Sequence, residues 1–250
     1  MNSPVILITG AGKGIGKSTV EAIIQRKSAF FMPKLVLTAR TEGDLIPLQA
    51  MAKAEGMDCE ILSIDLASAP TAPVKLAVQK FGRLDQVVHS AGVGRFGSFL
   101  RLTREDLEFT MKTNVEATFL LFQAAFAEIK KQSVLNPSRH PNVNYKGDLL
   151  LITSVAAEIP FEQSSIYCMS KFAQRGLLEV LRLYGRKEGI RIMDVKPGAT
   201  LTPMWGEVST DMESKMMKAE DVAASIVDAL LIHPRSSIEE IIIRPIAGDL

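Results

Sequence analysis

The sequence predicts a doubly wound α/β fold: a mostly parallel, seven-stranded sheet of Rossmann type with helices on both faces. Three observations predict it. Apolar runs of strand length alternate with longer amphipathic stretches along the chain, a glycine-rich turn joins the first strand to the first helix, and the remaining glycine and polar signals fall where strands end. The chain has 250 residues, 47% of them hydrophobic, which is enough to bury one large core, so a single domain over 1–250 is expected.

The first strand, 5–9, is the run Val5-Ile6-Leu7-Ile8-Thr9, apolar on both sides as a central parallel strand must be. A helical pattern follows near 15–27. Strands at 35–39, 60–64, 86–90, 148–153 and 191–195 are each followed by a helical stretch, near 43–55, 71–81, 104–132, 164–188 and 219–232 in turn, and a last strand spans 240–244. Parallel neighbours need crossovers of a dozen or more residues, and these helices supply them. Asn136, Pro137, Pro141, Asn142 and Asn144 mark 133–146 as a long surface loop. A second irregular stretch, 198–214, carries the single tryptophan, Trp205, and we expect a substrate lid near 198–218.

Composition excludes several function classes. Lys and Arg number 29 against 28 Asp and Glu, a formal net charge of +1, so there is no electrostatic case for nucleic acid or an anionic membrane as partner. Met1-Asn2-Ser3-Pro4 enters the first strand without a signal-peptide pattern and no apolar run is long enough to span a bilayer, which points to the cytoplasm. Cys59 and Cys168 fit reduced thiols in that compartment. His89, His140 and His233 lack metal-ligand spacing, so no metal is expected.

The chemistry concentrates at one edge. Thr9-Gly10-Ala11-Gly12-Lys13-Gly14-Ile15-Gly16 turns strand into helix, and Gly10, Gly14 and Gly16 would let backbone N–H groups approach a pyrophosphate. The spacing Gly-x-x-x-Gly-x-Gly differs from Gly-x-Gly-x-x-Gly and from a phosphate loop ending in Gly-Lys-Ser/Thr. Other signals follow the strands in turn: Arg40, Asp65-Leu66, Ala91-Gly92, Ser154 and Pro197-Gly198, the edge where open α/β sheets bind ligands. Where NAD sites carry an acidic residue after the second strand, this chain has Ala39-Arg40. A guanidinium there would grip a 2′-phosphate, with Lys13 as a second charge, so NADP(H) is the expected cofactor; the competing reading is a surface Arg40 paired near Thr41-Glu42. Tyr167 and Lys171 lie four apart on one helix face, so that the ammonium would lower the phenol's pKa, and Ser154 lies where it can donate to a carbonyl oxygen.

On these residues the chain resembles the short-chain dehydrogenase/reductase family over essentially its whole length. The resemblance implies that Asp65 contacts adenine, that Pro197, Gly198, Thr200 and Thr202 line the nicotinamide side, and that Asn114 completes a catalytic tetrad with Ser154, Tyr167 and Lys171. It also implies that Asn114 holds a water linking the lysine to solvent. One motif departs: His89-Ser90-Ala91-Gly92 stands where the family reads Asn-Asn-Ala-Gly, and His89 is expected to fill the end of its strand rather than to catalyse.

Within the family, Val93-Gly94-Arg95-Phe96-Gly97, Ser165 to Phe172, Pro203-Met204-Trp205-Gly206 and Arg244-Pro245 through Gly248-Asp249 resemble the bacterial sepiapterin reductases. That implies NADPH-dependent reduction of a pterin side-chain ketone to a tetrahydrobiopterin-type product, with Tyr167 as proton donor. Phe96 and Trp205 would form an apolar wall and Asp249 would meet the pterin's polar edge. The alternatives are another ketone or a 3-oxoacyl thioester as substrate, or a non-catalytic NADP-binding sensor. Apolar residues on several faces of the two long helices, Phe119-Leu120-Leu121-Phe122 and Leu177-Leu178 with Val180-Leu181, suit a homodimer or homotetramer.

Overall fold

Seven strands form one sheet, and each of its six pairings is parallel. The structure is a computed structural model describing residues 3–28, 31–135 and 142–249. In chain order it runs β1 (Val5–Thr9), α1 (Gly14–Gln25), β2 (Lys34–Ala39), α2 (Glu42–Ala54), β3 (Cys59–Ser63), α3 (Ala72–Phe81), β4 (Gln86–His89), α4 (Arg104–Met111) and α5 (Ala117–Lys131). It continues with β5 (Gly147–Ile152), α6 (Ser165–Glu188), β6 (Ile190–Pro197), β7 (Thr200–Leu201), α7 (Thr210–Lys215), β8 (Met217–Lys218), α8 (Ala219–Leu231) and β9 (Glu240–Ile243). The sheet order is β3-β2-β1-β4-β5-β6-β9, while β7 and β8 pair with each other. The chain therefore winds outward from β1, crosses back to β4 and winds the other way, which leaves a crevice beyond the carboxyl ends of β1 and β4.

Strand periodicity divides the core. Ile6, Ile8, Leu35, Leu37, Val88, Leu150, Met193 and Val195 meet residues of α1, α2 and α8, among them Val20, Leu48 and Val222. Their alternate neighbours Val5, Leu7, Val36, Val87, Leu149, Leu151 and Ile192 meet Val74 of α3, Phe122 of α5 and Leu178 of α6. Each fully buried side chain of this size contributes roughly 1.5–3 kcal/mol, so both faces must be covered for the sheet to persist. At the amino ends of β5 and β6 a buried pair pins the strands: Arg191 donates through Nε and Nη2 to the two Asp148 oxygens at 2.6 and 2.8 Å.

Two regions depart from the sequence reading. The helix expected over 104–132 is interrupted by a π-helical turn, Lys112–Glu116, between α4 and α5. The irregular stretch 198–214 contains β7, a 3₁₀ turn at Pro203–Trp205 and most of α7, segments too short to show a period. Within 133–146, where a surface loop is expected, the described residues 133–135 and 142–146 belong to no strand or helix, and Asn136, Pro137, His140 and Pro141 lie outside the described residues.

Gly147 opens β5 against the backbone of Asp85, where an added Cβ would lie 1.9 Å from the Asp85 carbonyl oxygen, the same oxygen that accepts from the Asp148 N–H at 2.9 Å. Gly147→Ala must push β4 and β5 apart at this point. We expect a loss of about 3 kcal/mol, read in thermal unfolding as a Tm lower by about 6–12 °C; an unchanged melt would contradict this close approach.

Candidate active site

The turn after β1 is shaped by what its glycines press against. Gly10 has φ +66°, and a Cβ there would lie 2.7 Å from the Ala91 nitrogen; a Cβ on Gly16 would lie 2.2 Å from the Gly10 carbonyl oxygen. The loop is thus folded tightly onto the exit of β4. Lys13, extended at the N-cap of α1, makes no side-chain cap, so the donors of the first helical turn keep their capacity for an anion. Ile15 is half-buried and packs under the loop against the core. The Lys13 ammonium lies 3.7 Å from Asp44.

Beyond β2, Arg40 is exposed, and its guanidinium makes no ion pair with Glu42 or any other described carboxylate. Beyond β3, Asp65 is exposed and accepts from the Ala67 N–H at 3.0 Å, while Leu66 is buried beside it. Thr202 reaches back over the loop: a Cβ on Gly14 would lie 3.1 Å from its methyl. Gly198 donates its N–H to Ile243 O at 2.8 Å after Pro197, and the buried Thr200 hydroxyl donates to Gly198 O at 2.9 Å.

Ser154 follows β5 and accepts from the Ala156 N–H at 3.1 Å. Tyr167 and Lys171 project from α6 toward it, as the four-residue spacing requires. The Lys171 ammonium donates to Ile152 O at 3.2 Å and lies 5.5 Å from the centre of the Tyr167 ring. Burial pushes the Tyr167 phenol up to about 12, against a hydrogen bond from Ser154 that pulls it down. Burial pulls Lys171 down to about 8, with the carboxylate of Asp194 acting the other way. In this structure desolvation is the largest influence on each group, raising the phenol's proton affinity and lowering the amine's.

Asn114 is set inward by the π-helical turn and is wholly buried. Its side-chain amide donates to Val93 O at 2.8 Å and Ser170 Oγ at 3.0 Å, and its Oδ1 accepts from the Val93 N–H at 2.9 Å. Its backbone carbonyl accepts from the Thr118 hydroxyl at 2.5 Å and from Gln174 Nε2 at 2.6 Å. Both lone pairs of this carbonyl are thus engaged by protein donors.

His89 does more than fill the end of β4. With the Thr118 hydroxyl hydrogen committed to Asn114, His89 Nε2 must be the donor to Thr118 at 2.9 Å, and Nδ1 accepts from the Thr9 hydroxyl at 2.6 Å. Thr9 in turn accepts from the Ala91 N–H at 3.3 Å. Burial, helped by the Lys171 charge, holds His89 neutral, with its pKa down at about 3. This directed chain ties the cofactor-facing turns to the helix bearing Asn114. Sequence reading missed Thr118 and Gln174, although Thr118 lies one helical turn past Asn114 and Gln174 continues the face of Tyr167 and Lys171.

Of the expected substrate contacts, Phe96 comes to the candidate catalytic residues, its ring centroid 5.2 Å from that of Tyr167. The Gly97 N–H bonds Gln163 O at 2.7 Å, which fastens this loop to the segment leading into α6. A Cβ on Gly92 would lie 3.4 Å from Asn114 Oδ1 and 3.8 Å from Lys171 Nζ, so Ala91-Gly92 forms the near wall of the site. Trp205 is part-exposed on its 3₁₀ turn and makes no ring contact with Tyr167 or Phe96. Asp249 accepts from Arg244 Nε at 3.0 Å, and Pro245 packs where a Cβ on Gly198 would lie, 3.1 Å away. Cys168 is buried with its sulfur 3.0 Å from Ser164 Oγ, and Cys59 is a buried thiol raised to about 12 by burial.

Comparison with known proteins agrees with this arrangement. A family model described as short chain dehydrogenase matches residues 4–213. The chain is 44% identical over 252 residues to a protein of Chlorobaculum tepidum named sepiapterin reductase, covering 98% of each, and 31% identical over 196 residues to an uncharacterized oxidoreductase of Thermotoga maritima, covering 78% of this chain and 71% of that one. Among solved structures, an alcohol dehydrogenase from Thermococcus sibiricus complexed with 5-hydroxy-NADP matches with a TM-score of 0.85 at 21% identity, covering 100% of this chain and 99% of that one. A short chain dehydrogenase from Burkholderia cenocepacia in complex with NADP matches at 0.82 and 24%, covering 98% and 97%. The two structures bear on the fold, and the family model and the relatives on ancestry: the chain belongs to the short-chain dehydrogenase/reductase family of oxidoreductases.

Proposed function

We propose that the protein reduces the side-chain ketone of a pterin with NADPH, as a sepiapterin reductase yielding a tetrahydrobiopterin-type product. The observation that carries the reading is the convergence of Ser154, Tyr167 and Lys171 beside Ala91-Gly92, with the Phe96 ring against Tyr167. The 44% identity to the Chlorobaculum tepidum protein favours a pterin over another ketone or a 3-oxoacyl thioester.

The cradle fits a dinucleotide. A side chain at Gly10 or Gly16 would fill space that the turn keeps closed on itself, and the uncapped start of α1 favours a pyrophosphate. Arg40, free of carboxylate partners among the described residues, suits a 2′-phosphate, with Lys13, 3.7 Å from Asp44, as a second positive charge. When bound, NADPH supplies the hydride to the ketone carbon. Tyr167 gives its phenolic proton to the ketone oxygen, which becomes the alcohol hydroxyl, and Ser154 donates a hydrogen bond to that oxygen as charge develops. The phenolate left behind is a stronger base than the Lys171 amine, about 12 against about 8, so return of a proton from the lysine side is downhill. Asp65 would hold the adenine, and Pro197, Gly198, Thr200 and Thr202 the nicotinamide side. Phe96 and Trp205 would wall the pterin under a lid near 198–218, and Asp249 would meet its polar edge from the tail that Pro245 seats on Gly198.

Homodimerisation is part of the proposal. Phe119 is exposed beside Met111 and Val115, and α6 exposes Phe172, Val180, Leu183 and Tyr184, whereas Leu121, Phe122 and Leu178 are spent in the protein's own core. No described helix is long and apolar enough to cross a membrane, and the two buried thiols accord with a cytoplasmic protein.

Three outcomes check this reading. Absorbance at the NADPH band should fall rapidly with sepiapterin, and Tyr167→Phe should lower kcat by about 10²–10⁴-fold while NADPH binding, followed by fluorescence, persists; reduction of a simple diketone alone would sink the pterin assignment. Arg40→Ala should raise KM for NADPH about 10–100-fold and leave that for NADH unchanged, whereas equal effects on both cofactors would remove Arg40 from the phosphate site. Sedimentation should give twice the chain mass, reduced toward one chain by Phe119→Glu; a monomeric native protein refutes the dimer.

A further inference from the structure

Lys196, the residue before Pro197-Gly198, is wholly buried and alternates with Ile192 toward the face of β6 covered by α6. Three carboxylates from three segments meet its ammonium: Glu158 at 2.6 Å from the segment after β5, Glu240 at 2.9 Å from β9, and Asp194 at 3.7 Å from β6 itself. A second rank of cations balances them, Arg182 of α6 lying 3.4 Å from Glu240 and Arg175 lying 3.9 Å from Glu158. Burial opposes the charge of Lys196, but its hydrogen bonds to Glu158 and Glu240 outweigh burial and raise its pKa above that of an ordinary amine. Buried ion pairs of this kind add little stability over an apolar side chain of the same size, so what they hold in place matters more than what they stabilise.

Lys196 holds what lies on either side of Ser154. Ser154 begins a 3₁₀ turn, Val155–Ala157, that ends on Glu158. The Ala157 N–H donates to Ser154 O at 2.9 Å and the Glu158 N–H to Val155 O at 3.0 Å, which closes the turn. Its Ala156 N–H donates to Ser154 Oγ at 3.1 Å, so one lone pair of the hydroxyl is taken and its hydrogen is left to be given away. Across from it stands Pro197 O at 3.5 Å, a long contact on which a ketone oxygen would improve. The Lys196 ammonium thus grips the far end of the turn through Glu158, while its backbone carries the opposing Pro197. We propose that Lys196 and Glu158 are positioning residues for Ser154: one ion pair between β6 and the turn sets where the hydroxyl stands relative to Pro197 and to the ketone oxygen. The proposal rests on the reading of Ser154 as the donor to that oxygen.

Glu158 is half-buried, so it is the partner to change; Lys196→Met would leave three carboxylates without their cation. Glu158→Ala should lower kcat about 10-fold, part of the roughly 10²–10³-fold that loss of a whole oxyanion donor costs, with KM for NADPH within about 2-fold of native. Glu158→Gln, whose amide oxygen still accepts from Lys196, should bring kcat back to within about 3-fold. A double-mutant cycle separates positioning from general damage: in Ser154→Ala protein, Glu158→Ala should lower kcat by less than about 2-fold. Should Glu158→Ala fail to fold, Glu158→Asp, which draws the carboxylate back by one methylene, enters the same cycle with a smaller loss. An undiminished loss in the Ser154→Ala background, or native kcat in the Glu158 variant, overturns the proposal. The cycle is run on sepiapterin and on a simple diketone; turnover and non-additivity on the diketone alone leave the positioning standing and remove the pterin reading. Protein that reduces neither is read by NMR of ¹³C at the serine β-carbons, the Ser154 signal being the one missing from Ser154→Ala. That signal should move in Glu158→Ala and return in Glu158→Gln, and a signal indifferent to both refutes the tether.

Discussion

The reversal of strand order between β1 and β4 is the constraint on which the rest of the molecule depends. A parallel sheet must be covered on both faces, and winding outward in two directions from one central pair achieves this with helical crossovers. The cost is a gap at the carboxyl ends of β1 and β4, where no crossover covers the strands. The chain closes part of that gap with backbone, since Gly10 lies against Ala91 at a separation that admits no side chain. What remains open is bordered by the start of α1, by the turns that follow β4 and β5 and by side chains of α6, so the candidate site is a consequence of the winding.

Inside that gap, burial ranks the acids. Tyr167 holds its proton more tightly than an exposed phenol and Lys171 more loosely than an exposed amine, and each shift has desolvation as its largest cause. Burial draws the two proton affinities apart, about 12 for the phenol against about 8 for the amine, which on the proposed reading suits a phenol that holds a proton until a carbonyl accepts it and recovers one afterward. The neutral network from Thr9 through His89 and Thr118 to Asn114 does the complementary work. It carries no charge that would disturb this ranking, yet it fastens together β1, β4 and the helix facing α6.

Much of this was legible in the chain. The seven strands appear within a residue or two of their expected limits because both-face burial writes unbroken apolar runs, as in Val5-Ile6-Leu7-Ile8. The helix bearing Tyr167 and Lys171 was legible from its 3.6 periodicity, and the glycine turn from its place between strand and helix. The π-helical turn at Lys112–Glu116 was not, since a single widened turn leaves the apolar pattern almost unchanged. Nor were the partners of His89. Thr118 and Gln174 read as ordinary polar residues of amphipathic helices until the packing of α5 and α6 turns them toward the same carbonyl.

By itself the sequence determined the order of strands and helices, the edge at which the chemistry gathers, and the residue types able to hold a dinucleotide and deliver a proton, because these depend on local spacing and period. Tertiary structure alone decided the electrostatics. Asp194 and Lys196 lie in a strand that reads as apolar on either side, and only the docking of α6 on β6 reveals that both charges are wholly buried, 3.7 Å apart. Burial and long-range contact set a proton's affinity, and neither is written in the spacing of residues along a chain.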